Sequence, residues 1–151
     1  MKQNEIRIIA MEECHVPQIA AMEQAYFTDA WSENCVRSEL TNPLSLWLVA
    51  VSGETVVGYI GSQTVLGETD IMNVAVAEQY RRRGIARELL QQLRSRLQAD
   101  GVYAITLEVR VSNEAAIRLY HSLGYVQVGR RPNYYHKPKE DALILRKEWQ
   151  N

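Results

Sequence analysis

The 151-residue chain contains only two cysteines, and no hydrophobic run in it approaches the length of a membrane span. Cys14 and Cys35 are far apart and lack metal-ligand or redox spacing. We therefore expect reduced, partly buried thiols. The three histidines are scattered without a metal pattern, so we expect no metal. The first residues lack the apolar segment of a signal peptide, and we expect a cytoplasmic protein without membrane contact.

An excess of charge of either sign is also missing. Lys and Arg number 17, and Asp and Glu number 18, which gives a net charge of -1. A dedicated nucleic-acid binder is usually basic overall, so we expect no direct nucleic-acid partner. The sequence shows no linker, repeat or low-complexity segment. It therefore predicts a single domain over residues 1–151.

The spacing of apolar residues predicts an α/β domain with a mixed sheet. The predicted helices cover 13–27, a stretch from Ser32 to near 42–43, a stretch from residue 85 to before Gly101, and 113–123. The predicted strands cover 6–10, 45–51, 55–66, 69–76, 102–110, 125–131 and 142–148. Short turns join the three strands between residues 45 and 76, so these three are expected to be antiparallel.

A basic turn, Arg-Arg-Arg-Gly-Ile-Ala, occupies residues 81–86, between a predicted strand and a strongly amphipathic helix. Arginines at a helix N-terminus oppose the helix dipole, at a cost of about a few tenths of a kcal/mol each unless an anion binds there. Gly84 permits a close backbone approach or a positive φ. The spacing matches neither a nucleotide-triphosphate loop nor a dinucleotide fingerprint. The turn predicts an anion site, and a solvated basic helix start is the alternative.

Two further residues are candidates for proton transfer. Glu108 lies in an otherwise apolar strand, on the same face as Thr106 and Arg110. It is either a solvated charge, paired with Arg110, or a general base. Tyr120 follows on a predicted helix, and it is either a core aromatic or a phenol that needs a partner when buried.

The stretch from Asn73 to Leu90 resembles the acetyl-coenzyme A signature of the Gcn5-related N-acetyltransferases, Gln/Arg-x-x-Gly-x-Gly/Ala, which Arg81, Gly84 and Ala86 satisfy. The order of elements is similar to that fold along the whole chain. The resemblance implies one domain with a mixed, mostly antiparallel twisted sheet flanked by helices, and acetyl-coenzyme A as the acetyl donor. The implied donor-binding residues are the strand backbone of Val74, Ala75 and Val76 for the pantetheine arm, and Arg81, Arg82, Arg83, Gly84, Ile85, Ala86 and Arg87 for the pyrophosphate.

The stretch from Leu107 to Tyr125 is similar to bacterial members of that family that acetylate the N-terminal alanine of the eighteenth protein of the small ribosomal subunit. This resemblance implies that Glu108 is the general base, that Tyr120 is the general acid for the coenzyme A thiolate, and that Asn113 contacts the donor. Trp31-Ser-Glu and Arg130-Arg-Pro-Asn-Tyr-Tyr match further motifs, and Pro132 departs from some members. The implied acceptor-binding residues are Trp31, Glu33, Tyr134 and Tyr135.

The acceptor class also follows from the ease of deprotonation. An α-amine has a pKa of about 8 and a lysine of about 10.4, so lysine costs roughly 3 kcal/mol more to deprotonate at neutral pH. This favours a protein N-terminus, acetylated by direct transfer in a ternary complex, since neither cysteine lies in a nucleophile motif. Lysine side chains, small amines and a non-catalytic acetyl-coenzyme A-binding module are the alternatives. Three further carboxylates are either solvated helix-start charges or groups that attract a basic peptide: Asp29, Glu33 and Glu39. We expect the protein to be a monomer or a weak dimer.

Overall fold

The structure, a computed structural model, describes residues 5–149, which form seven strands and four α-helices. The strands are β1 (Ile6–Ala10), β2 (Ser45–Ser52), β3 (Thr55–Val65), β4 (Glu68–Val76), β5 (Ala104–Arg110), β6 (Val126–Tyr135) and β7 (Glu140–Glu148). The helices are α1 (Val16–Tyr26), α2 (Glu33–Ser38), α3 (Ile85–Ala99) and α4 (Glu114–Ser122). The predicted order of strands and helices is confirmed.

All seven strands join one sheet in the order β1-β2-β3-β4-β5-β7-β6. Every neighbouring pair is antiparallel except β4 and β5, which are parallel. The helix α3 connects these two strands, as parallel neighbours require. The sheet is therefore mixed and mostly antiparallel, as predicted.

Both faces of the sheet are covered by helices. Along β2, Leu48 and Ala50 pack into a core with α3 and α4, while Trp47 and Val49 pack into a second core with α1 and α2. Successive strand residues point to opposite faces. This explains why the β2 sequence is an unbroken apolar run rather than an alternating one.

The two helices nearest the predicted turn match the sequence pattern closely. The apolar stripe of α3 is buried, from Ile85 to Leu97. In α4 the side chain of Asn113 accepts a hydrogen bond from the Ala116 N–H at 3.2 Å, so it is the predicted N-cap. Gly101 follows α3 with a φ of +86°, as expected after a helix C-terminus.

The first two helices are shorter than predicted. Residues 13–15 form a 3₁₀ turn, and α1 begins at Val16, where Pro17 is accommodated in the first turn. The second helix was predicted to reach residues 42–43, but α2 ends at Ser38. The reason is Glu39, whose carboxylate turns inward and accepts hydrogen bonds from Ser45, Trp47, Gln63 and Asn42.

Several expectations about single residues were wrong. Glu39 is buried rather than a solvated helix-start charge. Cys14 and Cys35 are exposed free thiols rather than partly buried ones. His15, in the 3₁₀ turn before α1, is buried, and its Nδ1 accepts a hydrogen bond from the Glu12 N–H.

The last hairpin differs from the prediction in one respect that concerns the site. Strand β6 was predicted to end at Arg131, with Tyr134 and Tyr135 in a connection, but β6 runs to Tyr135. Its pairing with β7 shifts register between Arg131 and Tyr135. Asp141 of β7 holds this irregular segment, because it accepts hydrogen bonds from the Asn133 N–H at 2.8 Å and the Arg130 Nε at 2.7 Å.

Candidate active site

The sheet opens between its two parallel strands. Pairs between β4 and β5 are confined to Glu68–Asp70 and Ala104–Thr106, within the part of the chain that the structure describes. Beyond these residues, β4 continues to Val76 and β5 to Arg110 without pairing to each other. The backbone edges that face the opening are therefore available to a ligand that hydrogen-bonds as an added strand.

A β-bulge sets the direction of the open part of β4. Gly61 of β3 lies opposite Asn73, and the next residue, Ser62, lies opposite Ile71, so one extra residue of β4 is accommodated there. The Asn73 side chain donates to the Glu23 carboxylate at 3.0 Å, which ties the bulge to α1. The three backbone positions predicted for the pantetheine arm, residues 74–76, follow directly after this bulge and pair with β3 on their other side.

The predicted turn has the backbone geometry of an anion site. Arg82 has a φ of +65° and Gly84 a φ of +79°, and residues 81–84 are exposed. A positive φ at a non-glycine residue costs about 1–2 kcal/mol, so the surrounding structure must hold Arg82 in this conformation. No side chain caps the α3 N-terminus, so its first amides have no partner within residues 5–149. These amides and the helix dipole favour a bound anion.

The arginines of the turn have different contacts. Arg81 donates from Nε to the Val76 carbonyl at 2.9 Å, and its guanidinium lies 4.8 Å from the Tyr26 ring. Arg83 lies over the Tyr80 ring at 4.9 Å. The Arg87 guanidinium donates to the Ser122 hydroxyl at 2.8 Å, which links α3 to α4. Arg81 thus supports the turn from the protein side, while Arg82 has no side-chain partner among the described residues.

Glu108 lies on the part of β5 that has separated from β4. Its Oε2 is 2.7 Å from Arg131 Nε of β6, and the Glu108 side chain is 27% exposed. Arg110 instead bonds Glu140 at 3.1 Å and lies 4.4 Å from the Tyr135 ring. The alternative that Glu108 simply pairs with Arg110 is therefore wrong, and the carboxylate is at the open end of the sheet.

Tyr120 packs into the core beside the opening. The residue is only 6% exposed, and its ring centroid lies 5.7 Å from that of Tyr125. Its hydroxyl has no hydrogen-bond partner among residues 5–149. Burial, with a smaller contribution from Tyr135, raises the pKa of Tyr120 well above its ordinary range. The phenol is therefore protonated at neutral pH, as a general acid must be before it acts.

Two aromatic side chains stand next to Glu108. Tyr134 and Tyr135 pack edge to face, with ring centroids 5.0 Å apart. Burial and the Glu108 charge raise the pKa of Tyr134, and the same two causes raise the pKa of Tyr135 to about 12. Tyr134 and Tyr135 thus lie beside Glu108, and Tyr135 also lies near Tyr120.

The other two predicted acceptor residues, Trp31 and Glu33, have contacts of their own. Trp31 packs on Trp47, with ring centroids 5.5 Å apart, in the core beneath α1 and α2. Glu33 forms an ion pair with Arg37 at 2.9 Å on the exposed side of α2. The loop between α1 and α2 does approach the last hairpin, since the Thr28 hydroxyl donates to the His136 carbonyl at 3.3 Å. The loop therefore contacts the hairpin that carries Tyr134 and Tyr135, whereas the Glu33 side chain pairs with Arg37.

Two residues near the site were missed by sequence reasoning. Glu23 is completely buried and accepts hydrogen bonds from the Tyr59 hydroxyl, the Asn73 amide and the Trp31 N–H. Burial raises the pKa of Glu23. Its position one turn after the buried Ile19 was a usable signal, because it places a carboxylate on the apolar side of α1. Arg131 stood in the Arg130-Arg-Pro-Asn-Tyr-Tyr motif but was given no role, because its contact with Glu108 depends on the register of three strands.

Comparison with known proteins identifies the family. Residues 16–125, more than half of the chain, match the acetyltransferase (GNAT) family. The chain is 35% identical over 140 residues to the [ribosomal protein bS18]-alanine N-acetyltransferase of Escherichia coli, covering 91% of this chain and 94% of that protein. A crystal structure of the Escherichia coli ribosomal-protein-S18-alanine N-acetyltransferase superimposes with a TM-score of 0.87 at 34% identity, covering 95% of this chain and 94% of that one. The expected fold is confirmed.

A longer relative also matches. The chain is 38% identical over 142 residues to an uncharacterized protein of Mycobacterium leprae, covering 89% of this chain but only 38% of that protein. The family match indicates acetyl-coenzyme A as the donor. The opened sheet and the uncapped turn are features that such a donor can occupy. The chain belongs to the acetyltransferase (GNAT) family, and it is an N-acetyltransferase that takes its acetyl group from acetyl-coenzyme A.

Proposed function

We propose that the enzyme acetylates a protein N-terminal α-amine and that its acceptor is the N-terminal alanine of small-subunit ribosomal protein bS18. The observation that carries this proposal is the position of Glu108, a partly exposed carboxylate at the open end of the sheet, flanked by Tyr134 and Tyr135. The similarity to the Escherichia coli enzyme named for that acceptor supports it.

The residues of the chain fit acetyl-coenzyme A. The amides of Gly84, Ile85 and Ala86, at an uncapped helix start, would bind the pyrophosphate, with Arg82, Arg83 and Arg87 nearby. The free edge of Val74–Val76 would bind the pantetheine arm, while Asn113 at the start of α4 would line the donor site from the other side of the opening. The donor supplies an acetyl group that is already activated as a thioester.

Two protons must move during transfer. The acceptor amine must lose a proton before its nitrogen attacks, and Glu108 would accept it, directly or through water. The departing sulfur must gain a proton, and the Tyr120 hydroxyl would donate one. The raised pKa of Tyr120 keeps its proton in place until a thiolate forms beside it. In this proposal Glu108 is the general base and Tyr120 is the general acid.

A single, partly exposed carboxylate suits an α-amine. The α-amine has a pKa of about 8 and is partly neutral at physiological pH, whereas lysine, at about 10.4, needs roughly 3 kcal/mol more to deprotonate. The tyrosine pair beside Glu108 offers flat apolar surface to the first residues of a peptide. A small first side chain such as alanine leaves the amine free to approach Glu108.

We also propose the wider setting of the enzyme. The whole chain, residues 1–151, would act as one catalytic domain in the cytoplasm, as a monomer or weak dimer. A net charge of -1 supports the absence of a direct nucleic-acid partner. No helix among residues 5–149 is long and apolar enough to cross a membrane.

The test uses one peptide in two forms. A peptide beginning Ala-Arg with an internal lysine is offered either with a free N-terminus or with a blocked one, and products are read by mass spectrometry. We expect one acetyl group on the free α-amine and none on the blocked peptide. Glu108→Gln should lower turnover about 10²-fold or more and leave acetyl-coenzyme A affinity nearly unchanged. Acetylation of lysine in the blocked peptide at a comparable rate would overturn the proposal.

A further inference from the structure

The proposed base has a charged partner within the chain. Arg131 Nε lies 2.7 Å from Glu108 Oε2, so the two side chains form an ion pair. The guanidinium thereby occupies the position beside the carboxylate oxygen that an acceptor amine would need. Glu108 must therefore be released from Arg131 before an acceptor amine can reach that oxygen.

The environment of Arg131 allows its guanidinium to move away from the Glu108 carboxylate. Its side chain is 57% exposed, twice the exposed fraction of Glu108. The guanidinium also lies 5.6 Å from the Tyr134 ring, so it keeps a favourable contact after it has left the carboxylate. An exposed ion pair of this kind is weak enough to exchange partners during binding.

The acceptor amine carries a positive charge that can replace the Arg131 guanidinium. With a pKa of about 8, an α-amine arrives mainly as an ammonium ion at neutral pH. That ammonium can take the place of the guanidinium beside Glu108, so that one cation is exchanged for another and the carboxylate is never left unpaired. Water brings no such charge and cannot make the same exchange.

We propose that Arg131 is a positioning residue that restrains Glu108 until an acceptor ammonium displaces it, and so suppresses hydrolysis of acetyl-coenzyme A. This inference rests on the proposed role of Glu108 as the base. In the suppressed reaction, a water oxygen bonds to the acetyl carbon and the carbon–sulfur bond breaks. Glu108 takes a proton from the water and Tyr120 donates one to the sulfur, which gives acetate and coenzyme A.

The experiment measures release of coenzyme A thiol from the purified enzyme and acetyl-coenzyme A, without any peptide. We expect Arg131→Gln to raise this rate by about two- to fivefold, the range that an exposed ion pair supports. Arg131→Lys, which keeps the charge, should raise it less. Arg118→Gln is the matched control, because Arg118 pairs with Glu114 on α4 and not with Glu108, and it should leave the rate unchanged.

The double variant Glu108→Gln with Arg131→Gln decides whether the effect passes through Glu108. The inference predicts that its hydrolysis rate returns to that of the wild type or below. It is overturned if Arg131→Gln leaves hydrolysis unchanged, or if the increase persists in the double variant. If Glu108 is not the base, the single variant Glu108→Gln acetylates the peptide at the normal rate. That result distinguishes failure of the proposed function from failure of this inference.

Discussion

Gly84→Ala tests whether the turn before α3 holds the donor. Gly84 has a φ of +79°, and a Cβ built there meets no atom within 4 Å. The substitution therefore introduces backbone strain without a steric clash inside the protein. The new methyl group would project from the exposed turn whose amides are proposed to face the pyrophosphate.

A second glycine provides the matched control. Gly53, in the turn between β2 and β3, has a φ of +62° and also has no atom within 4 Å of a built Cβ. Each alanine should cost about 1–2 kcal/mol of stability, because each forces an L-residue into the left-handed region. For a chain of this size, that cost lowers Tm by about 2–8 °C. Stability alone should not distinguish the two variants.

Affinity for acetyl-coenzyme A should distinguish them. If Gly84→Ala costs about 1.4 kcal/mol of binding, Kd rises about tenfold, whereas Gly53→Ala should leave Kd unchanged. Isothermal titration calorimetry at a temperature well below both Tm values measures the difference. Equal affinity of the two variants would refute the assignment of the turn to the donor.

Three further predictions concern the site and its support. Tyr120→Phe should lower turnover about 10²-fold in a steady-state assay while Tm changes little, because the hydroxyl has no hydrogen-bond partner to lose. Glu23→Gln should become progressively more stable relative to the wild type as pH rises above the ordinary carboxyl pKa of 4.5, measured by urea unfolding. Burial raises the pKa of Glu23 above its ordinary 4.5, so the folded state binds that proton more tightly and the wild type loses stability as pH rises through the raised pKa. Asp141→Ala should raise the peptide KM about three- to tenfold without changing the acetyl-coenzyme A KM, since it frees the segment that carries Tyr134; equal changes in both KM values would contradict this.

Local signals predicted much of the fold. The stripe from Ile85 to Leu97 fixed α3, and Asn113 fixed the start of α4, because both depend on residues within one or two turns of each other. The roles assigned to Glu108 and Tyr120 came from family resemblance rather than from spacing, and they stay predictions. A lone glutamate on a strand indicates nothing about catalysis until its neighbours are known.

Long-range contacts could not be predicted in this way. The end of α2 depends on Glu39 reaching Trp47 and Gln63, which belong to other strands. The pairing of Glu108 with Arg131 rather than Arg110 depends on β7 lying between β5 and β6. Such contacts require the sheet order and register, which a single sequence specifies only through the complete fold.

Acetylation of the N-terminal alanine of bS18 is the proposed reaction of this enzyme. The most direct measurement is the mass of the N-terminal peptide of that ribosomal protein, taken from cells that lack this enzyme and from the same cells carrying the wild type or Glu108→Gln. We expect an unacetylated terminus in the deletion strain and with Glu108→Gln, and an acetylated terminus with the wild type. A terminus that stays fully acetylated without the enzyme would contradict it.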